Sequence, residues 1–407
     1  MRSLLCCLLA ALSFSAACAA EPFLEKSDLF TAGDGGFKLF HIPGIVVTAK
    51  GTVLAWCEAR KKGANEGGDW DQIEIVLKRS TDEGRTWSDF KSIANVPGPK
   101  TKNPASLKVK GVNPNDVTYN NPVLIADRDG TVHMLFCLEY MRCFYQRSTD
   151  DGQTWSTPVE ITSAFEGFRP AYAWKVLATG PDHGIQLRNG RLVVPVWLSL
   201  ATGNNGHHPS VTATIYSDDQ GKTWHHGEIA VPNTEEWINP NETIAIELAD
   251  GSVMLNVRSE SKAHRRLVTI SKDGATNWST PKFDDALLEP ICMGSMVRYS
   301  LARDGGRNRL LFCNPDNVSR EDGKEVAGRF RDRKNLTVKL SYDEGKTWPV
   351  KRAVEPGPSM YSDIAVEKDG TILCLYDRGT KVGFAGEYIT LARFNLEWLT
   401  EGKEAAK

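Results

Sequence analysis

The stretch that decides the fold is STDEGRTW, residues 80–87. Its pattern, S-x-D-x-G-x-T-W, recurs at 148–155, 217–224 and 341–348, and a decayed copy, SKDGATNW, occupies 271–278. The Asp and Gly suit a tight turn, because glycine adopts positive φ and aspartate accepts hydrogen bonds from nearby backbone amides. The Trp supplies an apolar plug. Turn chemistry therefore explains the repeat, which we interpret as a strand-turn-strand unit and not as a catalytic motif.

The segments between the repeats are short, apolar or alternating runs such as TVLAWCEAR, IEIVLKRS, TVHMLFCLE and RLVVPVWLS. Gly- and Asn-containing turn signals separate these runs, which is typical of strands, and no long amphipathic helical pattern competes with them. The repeats start at positions 80, 148, 217, 271 and 341, which leaves room for about four strands in each unit. Five units with a repeat and one without predict an all-β chain, a six-bladed β-propeller, as a single domain over residues 20–407.

The composition is that of an ordinary soluble globular protein, with 407 residues, 41% hydrophobic and 25% charged. A formal net charge of -2 gives no long-range attraction to nucleic acid or to an anionic membrane. Residues 1–19 combine an early arginine, a short apolar run and an A-x-A site, and predict a signal peptide on a secreted or periplasmic protein. Cys18 as a lipoprotein cysteine is a less favoured alternative. We expect a monomer without a membrane span.

Six cysteines lie beyond the predicted leader, and most of them occur inside apolar, strand-like runs. We interpret them as buried free thiols, although export would permit disulfides. No CxxC or His/Cys spacing indicates a metal, and we predict neither a metal nor a cofactor. His183, His207 and His208 are not interpreted as metal ligands, because no Asp or Glu completes a set, and His207 and His208 beside Pro209 on a polar loop are interpreted as solvated.

The repeats and the segments around them resemble the sialidase (neuraminidase) superfamily, including bacterial exo-α-sialidases, over about residues 30–395. The segments that carry the resemblance are FHIP at 40–43, CEARKKGANEGGDWDQIEIVLKRS at 57–80, NETIAIELADGSVMLNVRS at 241–259, RKNLTV at 333–338 and GPSMYSDIAV at 357–366. The motif order and the repeat spacing agree along the chain. The resemblance implies a β-propeller and a glycoside hydrolase that releases terminal sialic acid.

Three residues are implied to carry the chemistry: Tyr361 as nucleophile, Glu242 as its base and Asp69 as acid/base, with Asp71 as the fallback for Asp69. A sialic acid has a carboxylate on its anomeric carbon, so a phenol avoids the repulsion that a carboxylate nucleophile would meet. A tyrosine with an ordinary pKa of about 10 needs an adjacent base. Two displacements then give retention of configuration.

A clamp for the substrate carboxylate is implied by Arg258 and Arg333, and Arg60 is a further candidate for sugar binding. His41 stands where the family has the first of three arginines, and imidazole cannot fork onto two oxygens. Losing that bond predicts carboxylate binding weaker by about 10- to 100-fold. Asp377 stands where the family has the Glu that steadies this arginine. Beside His41 it would favour the imidazolium.

Two other functions stay open at this point. The chain could act on a different acidic or neutral sugar, with His41 merely packing behind Pro43, or it could be a non-catalytic glycan-binding propeller. We favour a sialylated or other acidic glycan as the substrate, because the two arginines and the tyrosine keep their places. Trp197 and the stretches 178–187 and 204–210 are candidates for sugar-binding loops.

Overall fold

The computed structural model describes residues 20–63, 66–203, 206–324, 330–382 and 386–404. The predicted leader lies outside this part of the chain, so the signal peptide stays a prediction. Among the described residues, no helix has the length and apolar character that a membrane crossing requires.

Strands account for almost all of the regular structure in these ranges. In chain order they are β1 (Leu24–Thr31), β2 (Leu39–Val47), β3 (Val53–Arg60), β4 (Ile73–Ser80), β5 (Lys91–Ser92), β6 (Tyr119–Ala126), β7 (Val132–Leu138), β8 (Arg142–Ser148), β9 (Val159–Glu160), β10 (Val176–Thr179), β11 (Asp182–His183), β12 (Ile185–Gln186), β13 (Leu192–Ser199), β14 (Ser210–Ser217), β15 (His225–Val231), β16 (Thr243–Glu247), β17 (Val253–Val257), β18 (Arg265–Ser271), β19 (Lys282–Leu288), β20 (Ser295–Ser300), β21 (Arg309–Pro315), β22 (Lys334–Ser341), β23 (Val350–Val366), β24 (Ile372–Arg378) and β25 (Tyr388–Phe394). The helices are α1 (Ser163–Glu166) and α2 (Leu396–Leu399), with 3-10 turns at Asp34–Gly36, Ser106–Lys108 and Ala302–Asp304.

Most of these strands form antiparallel blades around a common axis. Two blades have four strands, β2-β3-β4-β5 and β16-β17-β18-β19. Two have five, because β11 adds to β6-β7-β8-β9 and β12 adds to β10-β13-β14-β15. The inner strands contact one another from blade to blade, with β2 against both β6 and β23, and β20 against both β16 and β23. The prediction of an all-β propeller is confirmed.

The structure has fewer separate sheets than the six blades predicted. Strands β20 to β25 and strand β1 join into one sheet, in the order β1-β25-β24-β23-β22-β21-β20. The joint is β23, a strand of 17 residues. Its first half pairs with β22, from Val350 to Pro358, and its second half pairs with β24, from Ser359 onwards. One continuous strand thus serves two neighbours, and five hydrogen-bonded sheets result.

The ring is closed by the start of the described chain. Strand β1 pairs antiparallel with β25, with Leu24 opposite Phe394 and Thr31 opposite Tyr388. The first strand therefore forms the outer edge of the sheet that the last strands build.

The repeated boxes form the turns that the sequence predicts. In the first box, Ser80 Oγ donates to Asp82 Oδ1 at 2.7 Å, and the backbone amides of Gly84 and Thr86 donate to Ser80 Oγ and Asp82 Oδ1, both at 2.9 Å. The same bonds recur in the boxes that begin at residues 148, 217 and 341. Gly84 has φ +75°, and a Cβ there would lie 3.2 Å from Leu391 in a neighbouring blade. Each glycine thus serves both the turn and the close packing of blades.

The core lies between and within the blades as clusters of aliphatic and aromatic side chains. Six cysteines belong to this interior, all free and buried: Cys57, Cys137, Cys143, Cys292, Cys313 and Cys374. The interpretation of these residues as buried free thiols is confirmed.

Candidate active site

The sequence-predicted residues around Tyr361 come from five different strands or strand ends, which the propeller brings together. His41 lies on β2, Tyr361 on β23 and Asp377 on β24. Glu242 directly precedes β16 and Arg258 directly follows β17. The backbone amide of Arg258 donates to the carbonyl of Glu242 at 3.0 Å, so the β16-β17 ladder fixes these two residues side by side.

Tyr361, Glu242 and Arg258 form a buried cluster. The Tyr361 hydroxyl lies 2.7 Å and 2.9 Å from the two carboxylate oxygens of Glu242. Arg258 Nη1 donates to the same hydroxyl at 2.8 Å and also to Glu242 Oε2. All three side chains are buried. The phenol therefore faces a proton acceptor and a fixed cation at once, which is the arrangement that activates a weak nucleophile.

The pKa of Tyr361 lies well above its ordinary value, chiefly because the ring is buried, and the Glu242 carboxylate raises it further. The guanidinium groups of Arg258 and Arg333 oppose this shift. The phenol therefore keeps its proton at rest, and a reaction at its oxygen requires that the proton leave during the attack.

His41, Arg333 and Asp377 surround the same tyrosine ring. His41 Nδ1 bonds Asp377 Oδ2, and the imidazole packs edge-on against Tyr361 with 4.5 Å between ring centroids. The Arg333 guanidinium lies 5.7 Å from the Tyr361 centroid, and its Nη2 donates to the Ile291 carbonyl. Burial raises the pKa of Asp377, and His41 is the largest opposing influence. The predicted pairing of His41 with Asp377 is thus present as a direct contact.

Asp69 and Asp71 have different surroundings, although only one residue separates them. Asp71 is fully buried, and its Oδ2 accepts the backbone amides of Gly67 and Gly68 at 2.9 and 3.0 Å. The Asp69 side chain is 47% exposed and accepts a bond from Arg60 Nη1 at 2.9 Å. Asp71 thus holds the loop, and Asp69 is the carboxylate that faces the pocket.

The pocket beside the Tyr361 cluster has an acidic, a basic and an aromatic wall. It is lined by Ile42, Asp69, Asn121, Tyr140, Trp197, His207, His208, Asn241, Glu242, Arg258, Glu260, Phe330 and Tyr361. Of the sugar-loop candidates, Trp197, His207 and His208 are therefore in place. Residues 204–205 of the second stretch lie outside the described residues. The stretch 178–187 instead enters the central sheets, where His183 Nδ1 bonds Asp363 Oδ1 at 2.7 Å.

The interpretation of His207 and His208 as solvated was wrong. His207 is 17% exposed and packs among three aromatic rings, and His208 Nε2 pairs with Glu260 Oε1 at 2.8 Å. His183 is buried against Asp363. Apart from Trp197, which lies on the strand before the His207 loop, their partners come from other blades, and the polar neighbours of these histidines in the chain do not indicate them.

Glu58 and Tyr140 were not predicted from the sequence, nor were Asn121, Glu260 and Phe330 of the pocket lining. Arg60 Nε and Nη2 both donate to Glu58 Oε2, at 3.0 and 2.7 Å, which fixes the arginine under Asp69. Residues i and i+2 of a strand share a face, so the E-A-R of β3 carried the signal for this pair. Tyr140 follows β7 in a hairpin turn, where it and Glu139 both have positive φ, and it carried no comparable signal in the sequence.

Known proteins resemble the chain over most of its length. A sialidase of Micromonospora viridifaciens is 30% identical over 406 residues, which covers 93% of this chain and 55% of the relative. A sialidase of Bacteroides fragilis is 30% identical and covers 78% of this chain and 55% of the relative. The chain thus spans about half the length of these relatives. The family model of the BNR repeat-like domain matches residues 106–374, which is more than half of the chain. The chain belongs to the BNR repeat-like family, within the sialidase superfamily.

Solved structures of the superfamily share its fold. A Hadza microbial sialidase superposes with a TM-score of 0.71 at 25% identity, covering 92% of this chain and 69% of the other. The intramolecular trans-sialidase of Ruminococcus gnavus, solved with oseltamivir carboxylate, gives 0.70 at 18% identity, with coverages of 92% and 98%. The second likeness concerns the fold alone. The pocket described above is therefore the candidate active site of this sialidase-superfamily propeller.

Proposed function

We propose that the chain is an exo-α-sialidase-like retaining glycoside hydrolase that removes terminal sialic acid from glycoconjugates. The single observation that supports this most is the Tyr361 hydroxyl, held 2.7 Å from Glu242 and 2.8 Å from Arg258. A non-catalytic glycan-binding propeller has no need of a buried phenol between a base and a cation. The family membership and the named sialidases among its relatives support the same reaction class.

In the proposed first step, the Tyr361 oxygen attacks the anomeric carbon while Glu242 accepts the phenol proton. The bond from that carbon to the leaving oxygen breaks, and Asp69 delivers a proton to this oxygen. In the second step, Asp69 accepts a proton from water, which attacks the same carbon. The bond from this carbon to the Tyr361 oxygen breaks, and the phenolate recovers its proton from Glu242. Two inversions give net retention.

The substrate carboxylate would be bound by Arg258, Arg333 and His41 around the Tyr361 ring. The two guanidinium groups stay charged at any working pH and can each present two donors. Their positive charge in a buried setting supports an anionic sugar over a neutral one.

We also propose that the ring contains six blades, with the seven-stranded sheet counted as two that share β23. The change of partner along β23 between Pro358 and Ser359 supports this division. Export through the predicted leader and a monomeric state complete the proposal.

The primary test is the release of fluorophore from an aryl α-glycoside of N-acetylneuraminic acid, measured across pH for the wild type and for His41→Arg. We expect the wild type to hydrolyse the sialoside. The KM of His41→Arg should equal the wild-type KM or be about 10- to 100-fold lower. The reason is that arginine adds donors for the substrate carboxylate. It also adds a donor for Asp377 Oδ1, which has no hydrogen-bond partner among the described residues.

The opposite result would identify another substrate. If both proteins are inactive on the sialoside, while a mechanism-based reagent built on a different acidic sugar labels Tyr361, then His41 marks a change of sugar. The role of His41 would then be to pack edge-on against Tyr361.

A second prediction concerns the charge of His41. Asp377→Asn removes the carboxylate bonded to this imidazole, so a positive charge on the ring would lose its counter-charge. We expect the KM for the sialoside to rise by about tenfold across the measured pH range. An unchanged pH profile of KM would contradict the pairing's role. The matched control is Asp28→Asn. Asp28 lies on the outer strand β1 and forms an exposed ion pair with Arg378.

A further inference from the structure

His207 occupies an unusual position for a loop histidine. Its ring lies 4.9 Å from the Tyr140 ring, 5.3 Å from that of Trp70 and 5.3 Å from that of Trp197, measured between centroids. Trp70 directly follows Asp69 in the chain, and its ring also packs against Tyr140 at 4.8 Å. The aromatic contacts therefore bind the segment that carries Asp69 to the segment that carries His207.

Asp69 by itself is poorly prepared to store a proton. Burial of the site would raise its pKa, but the Arg60 guanidinium at 2.9 Å outweighs this and holds the pKa below its ordinary value. Arg60 cannot turn away easily, because Glu58 holds two of its nitrogens and the Gly67 carbonyl accepts from the third. An ionised Asp69 suits the second step, in which it accepts a proton. The first step requires that a proton be available before the leaving group departs.

The other Asp69 oxygen faces the histidine. His207 Nδ1 lies 3.9 Å from Asp69 Oδ2, longer than a hydrogen bond but within ion-pair range, and both side chains line the pocket. A small movement of the half-exposed Asp69, or one intervening water, would connect the two groups.

We propose that His207 and Asp69 share one proton, and that protonated His207 supplies the proton that Asp69 delivers to the leaving oxygen. This inference rests on the function proposed above. His207 acts through Asp69 and is therefore a positioning and proton-storing residue, with no contact to the reacting atoms required. The rings of Trp70, Tyr140 and Trp197 shield the imidazole from water, while its Nδ1 faces the Asp69 carboxylate.

Every proton in the first step is accounted for. As the bond between the anomeric carbon and the leaving oxygen breaks, the Nδ1 proton of the imidazolium passes to Asp69 and from Asp69 to that oxygen, so Asp69 ends the step ionised. His207 becomes neutral, Tyr361 is bonded to the sugar and Glu242 carries the phenol proton. In the second step the proton taken from water by Asp69 returns to His207, and the starting state is restored.

The charged groups around His207 set the direction of its pH dependence. Burial lowers its pKa below the ordinary value, His208 and Arg258 act in the same direction, and Asp69 and Glu242 oppose them. The imidazolium is therefore populated on the acidic side of about pH 6.5. Turnover of a substrate whose leaving group needs a proton should accordingly rise as pH falls towards that range.

The test compares two leaving groups in the full-length protein. In His207→Gln, we expect kcat/KM for sialyl-lactose, whose alkoxide needs protonation, to fall by about 100-fold. The value for the 4-nitrophenyl α-sialoside, which leaves as a stable phenolate, should change by less than about threefold. The fall in kcat/KM on the alkaline side of the pH profile, which deprotonation of His207 causes, should disappear for sialyl-lactose alone. His225→Gln, at an exposed histidine on β15, is the matched control and should change neither substrate.

Equal losses on both substrates would overturn the inference, because they would assign His207 to packing or to sugar binding. An unchanged sialyl-lactose profile would overturn it as well. His207→Asn offers a second variant with a donor near the Nδ1 position, in case the glutamine variant does not fold. Wild-type protein that turns over neither sialoside would refute the proposed function itself, a result that is distinguishable from selective or equal losses in the variants.

Discussion

Tyr361→Phe is expected to reduce kcat on the aryl sialoside by about 1,000-fold or more, with little change in the affinity for a non-hydrolysable sialic acid analogue. The substitution removes only the oxygen that lies between Glu242 and Arg258. Those two side chains remain bonded to each other, so the cluster keeps its shape and charge. Steady-state kinetics and calorimetric titration of the analogue, at the same pH, measure the two quantities.

Tyr388→Phe is the matched control for this substitution. Tyr388 lies on β25 and stacks on Arg378, away from the pocket, so the loss of its hydroxyl should leave kcat unchanged. Turnover that persists in Tyr361→Phe would rule out the tyrosine as the nucleophile. A parallel loss of affinity and kcat would assign the hydroxyl to substrate binding.

Arg266→Met is expected to lower the free energy of unfolding by about 3–5 kcal/mol, because it leaves a buried carboxylate without its cation. Arg266 and Glu289 are both fully buried and lie 2.7 Å apart. The arginine also donates to the Asn256 side chain at 2.6 Å and to the Cys292 carbonyl at 2.9 Å. Urea denaturation followed by tryptophan fluorescence measures the change.

The double variant Arg266→Met with Glu289→Leu is the control, since it removes both charges. We expect it to recover most of the lost stability, because replacing a whole buried pair by apolar side chains is often neutral. Equal destabilisation of the single and double variants would assign the effect to packing.

Glu289 Oε1 accepts the Cys292 amide at 2.9 Å, and the adjacent Ile291 carbonyl holds Arg333. The single variant should therefore also raise the KM for sialosides.

The sequence predicts the elements whose signals are local. The boxes were interpreted as turns because their Ser, Asp, Gly and Thr bond within eight residues, and the first box shows those bonds. The approach of Tyr361 to Glu242 was predictable from the order of the motifs. The proximity of His41 and Asp377 was predictable from the same order, since the resemblance paired their positions.

Features that depend on contacts between blades were not predictable in this way. The change of partner within β23 depends on two neighbours that lie on either side of it in space, while its sequence is simply that of an extended segment. His207 follows a Gly-rich polar run and looked solvated, because nothing near it in the chain reveals Trp70, Tyr140 or Trp197. Side-chain packing across strands decides such positions, and single-sequence propensity does not contain it.

The pairing of β1 with β25 has a consequence for the order in which the protein folds. Near this edge the Phe23 amide donates to Asn395 Oδ1 at 3.1 Å, across 372 positions of the chain. Contacts so distant in sequence form late, because the entropy of closing the intervening loop must be met before they contribute. Strand β1 is therefore synthesised long before its partner β25, and until both are present its edge stays open to other chains. The interval between synthesis and ring closure is when this propeller is most exposed to aggregation.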